Sequence, residues 1–233
     1  MHTNRGAPTP PIAFGSGKVG DRLKTKRVEV DDALRTRLAA TGATVADADD
    51  AIAEASRDWW PLAMIWALDA QVAARASAIV RPRTATEVAA ILRICNEVRM
   101  PVTAAGGRSG VCGASVPVFG GVLLDLTAIE GIVDVDTTSM LVDVLPGTFG
   151  DVFEDELRRH RVTCGHWPQS MELSTVGGWI ACRGAGQLST RYGKIEDIVE
   201  SLDVVLADGT HVTTGGAPRA AVGPDLTQLF VGS

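Results

Sequence analysis

Residues 165–186 constrain this chain more than any other stretch. They read Gly-His-Trp-Pro-Gln-Ser-Met-Glu-Leu-Ser-Thr-Val-Gly-Gly-Trp-Ile-Ala-Cys-Arg-Gly-Ala-Gly. Hydroxyls stand at Ser170, Ser174 and Thr175. The pair Gly177-Gly178 has no Cβ to hold a ligand away from the backbone. A tail of small residues, Ala181 to Gly186, carries a single cation, Arg183. Ser174 or Thr175 is placed to cap a short helix whose first N–H groups fall at Val176 to Gly178. Free N–H groups, hydroxyls and a helix N-terminus make an anion site, with a diphosphate as its natural guest. Read blandly, the same glycines are a turn that joins two elements.

A second cluster shifts the balance toward a ligand. Residues 105–113, Ala-Gly-Gly-Arg-Ser-Gly-Val-Cys-Gly, repeat the ingredients: glycines, a hydroxyl and one arginine. Two such clusters in one small chain suggest a ligand gripped from two sides. The spacing of Gly106, Gly107, Gly110 and Gly113 is not GxGxxG, and there is no GxxxxGK[ST] phosphate loop.

The chain's 233 residues allow one large domain or two small ones. A hydrophobic content of 45% is ordinary for a globular chain. The net charge of −6 argues against a nucleic-acid partner, which needs a basic surface. The four cysteines, Cys95, Cys112, Cys164 and Cys182, form no CxxC pair and read as reduced thiols of a cytoplasmic protein. The four histidines do not pair at metal-ligand spacing. No signal-peptide core opens the chain, and the apolar run 59–68 is broken by Pro61 and too short to span a bilayer, which leaves peripheral membrane contact open.

Taken in order, residues 1–20 read as a loose arm. Weak helical patterns follow at 28–40, with Leu34 and Leu38 one turn apart, and at 47–57. Residues 59–68 form an apolar patch suited to core or docking. Strands are expected at 78–82, 101–104 and 121–126, with a helix between the first two opened by Thr84 and Glu87 as a capping box. Val88, Ile91, Leu92, Cys95 and Val98 share its face. The order suggests a small parallel or mixed sheet, with the first glycine cluster leaving a strand's carboxyl end, where such sheets bind ligands. Beyond residue 126 the character becomes antiparallel. A strand is expected at 141–144, and Thr148 caps a helix carrying Phe149, Val152, Phe153 and Leu157. A hairpin turns at Asp208-Gly209.

The motifs Gly-His-x-Pro-x-Ser (165–170), Ser-Thr-Val-Gly-Gly-Trp (174–179), Tyr-Gly-x-Ile-Glu-Asp (192–197) and Gly-Pro-Asp (223–225), in that order, resemble the FAD-binding (PCMH-type) domain of the vanillyl-alcohol-oxidase flavoproteins, and within it the alkylglycerone-phosphate (alkyldihydroxyacetonephosphate) synthases. The resemblance covers residues 78–233. It implies an α+β fold of two subdomains with FAD between them, and the patterning along the chain sets their expected bounds: 1–57 as an arm with short helices outside the resemblance, 58–126 as the first subdomain and 127–233 as the second. The first subdomain is expected to hold a small parallel or mixed sheet, the second a larger, mainly antiparallel one. Cofactor contacts are implied in three loops: Ala105, Gly106, Gly107, Arg108, Ser109 and Gly110; Gln169, Ser170, Ser174, Thr175, Gly177 and Gly178; and Cys182, Arg183, Gly184 and Ala185. Arg108 stands where tethering relatives carry a histidine, so FAD is expected to bind non-covalently, with His166 as a structural histidine. Relatives continue past the Gly-Ser that ends this sequence into a substrate domain. The resemblance therefore implies a flavin-binding portion without catalytic residues of its own, for which a separate chain is one way to supply the substrate domain. Acyl-for-alkyl exchange in ether-lipid synthesis is the activity implied. The alternatives are the FAD domain of a 2-hydroxy-acid (glycolate or D-lactate) dehydrogenase, and an inactive orphan or split-gene fragment.

Overall fold

The computed structural model describes Leu23, residues 26–216 and residues 223–232. The arm expected at 1–20 lies outside these. Strands β1 (Thr44–Ala46), β2 (Ala78–Arg81), β3 (Val102–Ala105) and β4 (Val122–Asp125) form a four-stranded sheet in the order β1-β2-β4-β3. β2, β4 and β3 run parallel, and β1 pairs antiparallel with β2. The sheet is thus mixed, and β1 is the strand that the sequence pattern did not reveal.

Side chains alternate between the faces of a strand. Ala78, Val80, Val122 and Leu124 pack with Leu34 and Leu38 of helix α1 (Asp32–Ala39) and with Val88, Ile91 and Cys95 of α4 (Ala85–Glu97). Ile79 and Leu123 point the other way, to Ile52 and Ala55 of α2 (Asp49–Ala55). Both faces are covered, so the central strands read as continuous apolar runs rather than alternating ones. Thr84 caps α4 by accepting the Glu87 N–H at 3.2 Å, while the Glu87 carboxylate takes the N–H of Arg83, one residue before the cap. Val98 falls outside the buried face, at 46% exposure. The apolar patch becomes α3 (Pro61–Leu68), which turns Ala63 and Trp66 inward and Met64 and Leu68 outward.

Asp125 closes the carboxyl edge of the sheet. Burial pushes its carboxyl up. Hydrogen bonds from Thr127 and Arg81 outweigh that effect, and the group titrates below its ordinary value. The Arg81 guanidinium lies 2.7 Å away.

The second half is antiparallel, as two hairpins rather than one larger sheet: β5 (Ile132–Asp136) with β6 (Leu141–Val144), and β7 (Asp203–Val205) with β8 (His211–Thr213). Each closes on a local turn. Asp136 accepts the N–H groups of Thr138 and Ser139, and Asp208 accepts that of Thr210. Four helices separate the hairpins: α5 (Gly150–Arg159), α6 (Val176–Ala181), α7 (Ser189–Tyr192) and α8 (Ile195–Ile198). α9 (Leu226–Phe230) follows the second hairpin. Phe153, Leu157, Met171, Val176, Trp179, Ile195 and Val231 form the core of this half.

Thr148 does not cap α5. Its hydroxyl donates to the Leu145 carbonyl at 2.7 Å and accepts the Gly131 N–H at 2.9 Å, leaving Phe149 at the cap position. Val152, expected on the buried face of α5, is 58% exposed. No helix of the described residues is long and apolar enough to cross a membrane.

Candidate functional site

The first glycine loop leaves the carboxyl end of β3, where Ala105 is buried and its carbonyl accepts the Leu126 N–H at 2.9 Å. The loop runs directly onto the second glycine stretch. A Cβ built on Gly106 would lie 2.4 Å from the Thr175 hydroxyl oxygen. One on Gly107 would lie 2.1 Å from the Leu173 carbonyl oxygen and 3.2 Å from the Phe149 ring. Only residues without a side chain allow this approach. The fold thus brings together two clusters that are some 60 residues apart in sequence.

Arg108 takes a left-handed conformation, φ 54°, which is uncommon for a residue with a side chain. Among the described residues its guanidinium has no acid partner, and the backbone N–H groups from Gly106 to Gly110 have no protein acceptor. Five consecutive unpaired N–H groups beside an unpaired cation are suited to a polyanionic group. Gly110 is anchored by its carbonyl, which accepts the Trp59 N–H at 2.9 Å.

The second stretch is built by pairing with residues 148–150. Phe149 and Thr175 form an isolated antiparallel bridge, Gly150 N–H donates to Ser174, and Val176 N–H donates to Thr148. This pairing corrects the reading of α6 as an anion-binding helix end. The Val176 and Gly177 N–H groups are each 2.9 Å from the carbonyls of Thr148 and Pro146, and the Gly178 N–H points to its own cap, Thr175. Gly177 exists for packing, since a Cβ there would lie 2.7 Å from Pro146. Gly178 is more open, with only the Thr175 hydroxyl nearby at 3.3 Å. The Ser174 hydroxyl is also committed: it donates to Ser170 at 2.8 Å and accepts the Trp179 indole N–H at 2.7 Å. Gln169 and Ser170 line an open groove of about 600 Å³ bounded by Asp151, Glu154, Asp155 and Arg158 of α5, whose acidic lining does not suit phosphate.

The third loop is held elsewhere. Cys182 and Ala185 are exposed. Arg183, at φ 50°, pairs with Glu196 at 3.1 Å and approaches Gln228 at 3.5 Å, so it is a structural tie between α6, α8 and α9. A Cβ on Gly184 would lie 3.4 Å from His166 Nε2. His166 is 1% exposed and 4.8 Å from the Trp179 ring. Neither ring nitrogen has a hydrogen-bond partner, and burial lowers its pKa from the ordinary value.

Three participants escaped sequence reasoning: Phe149, the Leu173 carbonyl and Asp58 beside Gly110. A carbonyl carries no signal in a sequence, and Asp58 falls at the junction between the helical pattern at 47–57 and the apolar run at 59–68, where neither pattern assigns it a role.

The family described as FAD binding domain matches residues 76–215. The chain is 36% identical over 160 residues to an uncharacterized FAD-linked oxidoreductase of Escherichia coli (strain K12), covering 67% of this chain and 33% of that protein. It is 33% identical over 173 residues to the glycolate oxidase subunit GlcD of Bacillus subtilis (strain 168), covering 73% and 37%. The solved structure of an alkyldihydroxyacetonephosphate synthase superposes with a TM-score of 0.79 at 25% identity, covering 91% of this chain and 40% of that one. The chain therefore spans about a third of the length of these curated relatives. A mixed sheet with a glycine loop at its carboxyl edge, packed on a second glycine stretch, agrees with these likenesses, and the chain belongs to the FAD-binding domain family, with FAD as its cofactor.

Proposed function

We propose that the chain is the FAD-holding portion of a flavoenzyme of the alkyldihydroxyacetonephosphate synthase type, in which an acyl group is exchanged for a fatty alcohol. One observation carries the placement of the cofactor: five unpaired N–H groups and an unpaired guanidinium on the Gly106–Gly110 loop, with Gly107 pressed against the Leu173 carbonyl. In this reading the loop N–H groups and Arg108 hold the diphosphate, and Thr175 and Gly178 line its other side. Ala105, Ser174 and Gly177 shape the walls, while Gly184 packs toward His166 and Arg183 ties the third loop in place. Gln169, Ser170, Cys182 and Ala185 stand on accessible surface beyond this contact. When bound, FAD supplies the redox-active flavin ring, and this chain orients it.

Two residues support non-covalent binding: Arg108 stands at the tethering position, and His166 is enclosed against Trp179. Four free thiols support a reducing, cytoplasmic setting. A separate chain carrying the substrate domain and a division into subdomains near residue 126 belong to the same proposal. The likeness to GlcD favours a second reading, the FAD domain of a 2-hydroxy-acid oxidising enzyme, which would use the same flavin site.

Arg108→Met tests the placement. A charge-assisted hydrogen bond contributes about 1.5–3 kcal/mol, so FAD affinity is expected to fall by roughly tenfold or more. The salt dependence of binding should weaken with it. Affinity and salt dependence equal to those of the wild type would overturn the placement.

A further inference from the structure

Asp58 lies between α2 and α3 and is 3% exposed. Its Oδ1 accepts the Trp60 N–H at 3.0 Å. Its Oδ2 is sealed from solvent and has no hydrogen-bond partner. Glu154 is satisfied by Thr163 and Cys164, and Asp125 by Thr127 and Arg81; Glu196 Oε2, which is also sealed and receives no hydrogen bond, has the Arg183 guanidinium at 3.1 Å, whereas among the described residues Asp58 Oδ2 has no cation beside it. A buried carboxylate oxygen left without a donor destabilises a fold. An unsatisfied buried group of this kind calls for a physical explanation.

The first glycine loop is what Oδ2 faces. A Cβ built on Gly110 would lie 3.7 Å from it and within 4 Å of no other atom. The flanking residues back the same loop. Trp59 N–H holds the Gly110 carbonyl at 2.9 Å, and the Trp60 ring lies 3.2 Å from where a Gly113 Cβ would stand. On one side is an acceptor without a donor, and on the other a run of N–H donors without acceptors.

We infer that Asp58 is a positioning residue for the first glycine loop: its Oδ2 takes a backbone N–H at or next to Gly110 when the loop closes on its ligand. This rests on the assignment of that loop to FAD. The carboxylate does not touch the cofactor. It holds part of the loop from behind so that the remaining N–H groups converge on the anion. The bond forms only in the liganded state, so Asp58 costs stability in the free protein and returns it on binding.

Asp58→Asn separates this role from a structural one. The asparagine oxygen keeps the Trp60 contact, while its NH2 replaces the Oδ2 acceptor with a donor. The free variant is expected to melt at or above the wild-type temperature. Its FAD dissociation constant should rise roughly tenfold, the loss of about one hydrogen bond to a charged group. Backbone amides of residues 106–113 should exchange with solvent faster in the FAD-saturated variant than in the FAD-saturated wild type. Asp58→Ala, which also loses the Trp60 contact, should lose as much affinity as the asparagine variant. A lower melting temperature of free Asp58→Asn together with weaker binding would assign Asp58 to the scaffold alone and overturn the inference, as would unchanged affinity. Wild-type protein that fails to bind FAD would overturn the placement of the cofactor itself, and this inference with it.

Discussion

His166 carries the clearest tension of any single residue. It is enclosed against Trp179 with both ring nitrogens unpaired, a placement that only the neutral imidazole tolerates. Burial lowers its pKa in the folded state. The unfolded chain binds the proton near the ordinary value of about 6.5, so protonation favours unfolding as pH falls through that point. Stability should therefore be fully present above pH of about 6.5 and be lost progressively as pH falls toward the folded-state value. Melting temperatures from pH 7.5 down to 5.5 check this, because His166→Phe should flatten the slope. An equal slope in the variant would contradict the assignment. The residue scale also shows what a sequence hides. Arg108 and Arg183 sit in similar glycine clusters and both adopt left-handed backbone, yet one is unpaired and the other is bound to Glu196. Only the return of α8 to the end of α6 distinguishes them, and no local pattern carries that.

At the scale of elements, α6 is where sequence and structure part most instructively. The cap was legible: Thr175 accepts the Gly178 N–H, as a hydroxyl before a short helix should. The free N–H groups were not there, because the turn at Pro146 and Thr148 folds back to take them. The sequence marks a turn at Pro146-Gly147 and a helix start after it, but not that the turn clasps the second glycine stretch. The two glycines consequently have different work. Gly177→Ala should destabilise the fold by about 1–3 kcal/mol through its clash with Pro146. Gly178→Ala meets only the Thr175 hydroxyl and should keep the wild-type melting temperature while weakening FAD binding. Paired thermal melts and FAD titrations check this. Equal destabilisation by both substitutions would contradict the division of labour.

At the scale of the molecule, the α+β class was legible because each half announces itself by period. Continuous apolar strands with an amphipathic helix gave the mixed sheet, and Asp-Gly at 208–209 gave the second hairpin. β1 and β5 were not legible: three residues are too few to show an alternation, and Ile132–Asp136 is mostly exposed or half-buried. The meeting of the two glycine clusters was suggested by composition but fixed only by tertiary packing, since one side of the contact is the Leu173 carbonyl. In the proposed function this meeting makes one FAD site within the chain. The most direct test is to incubate the purified protein with FAD, remove free cofactor by desalting, and record the visible spectrum alongside a circular-dichroism spectrum. Flavin bands should travel with the folded protein at about one flavin per chain, as expected for a single site. A folded protein that emerges colourless would contradict it.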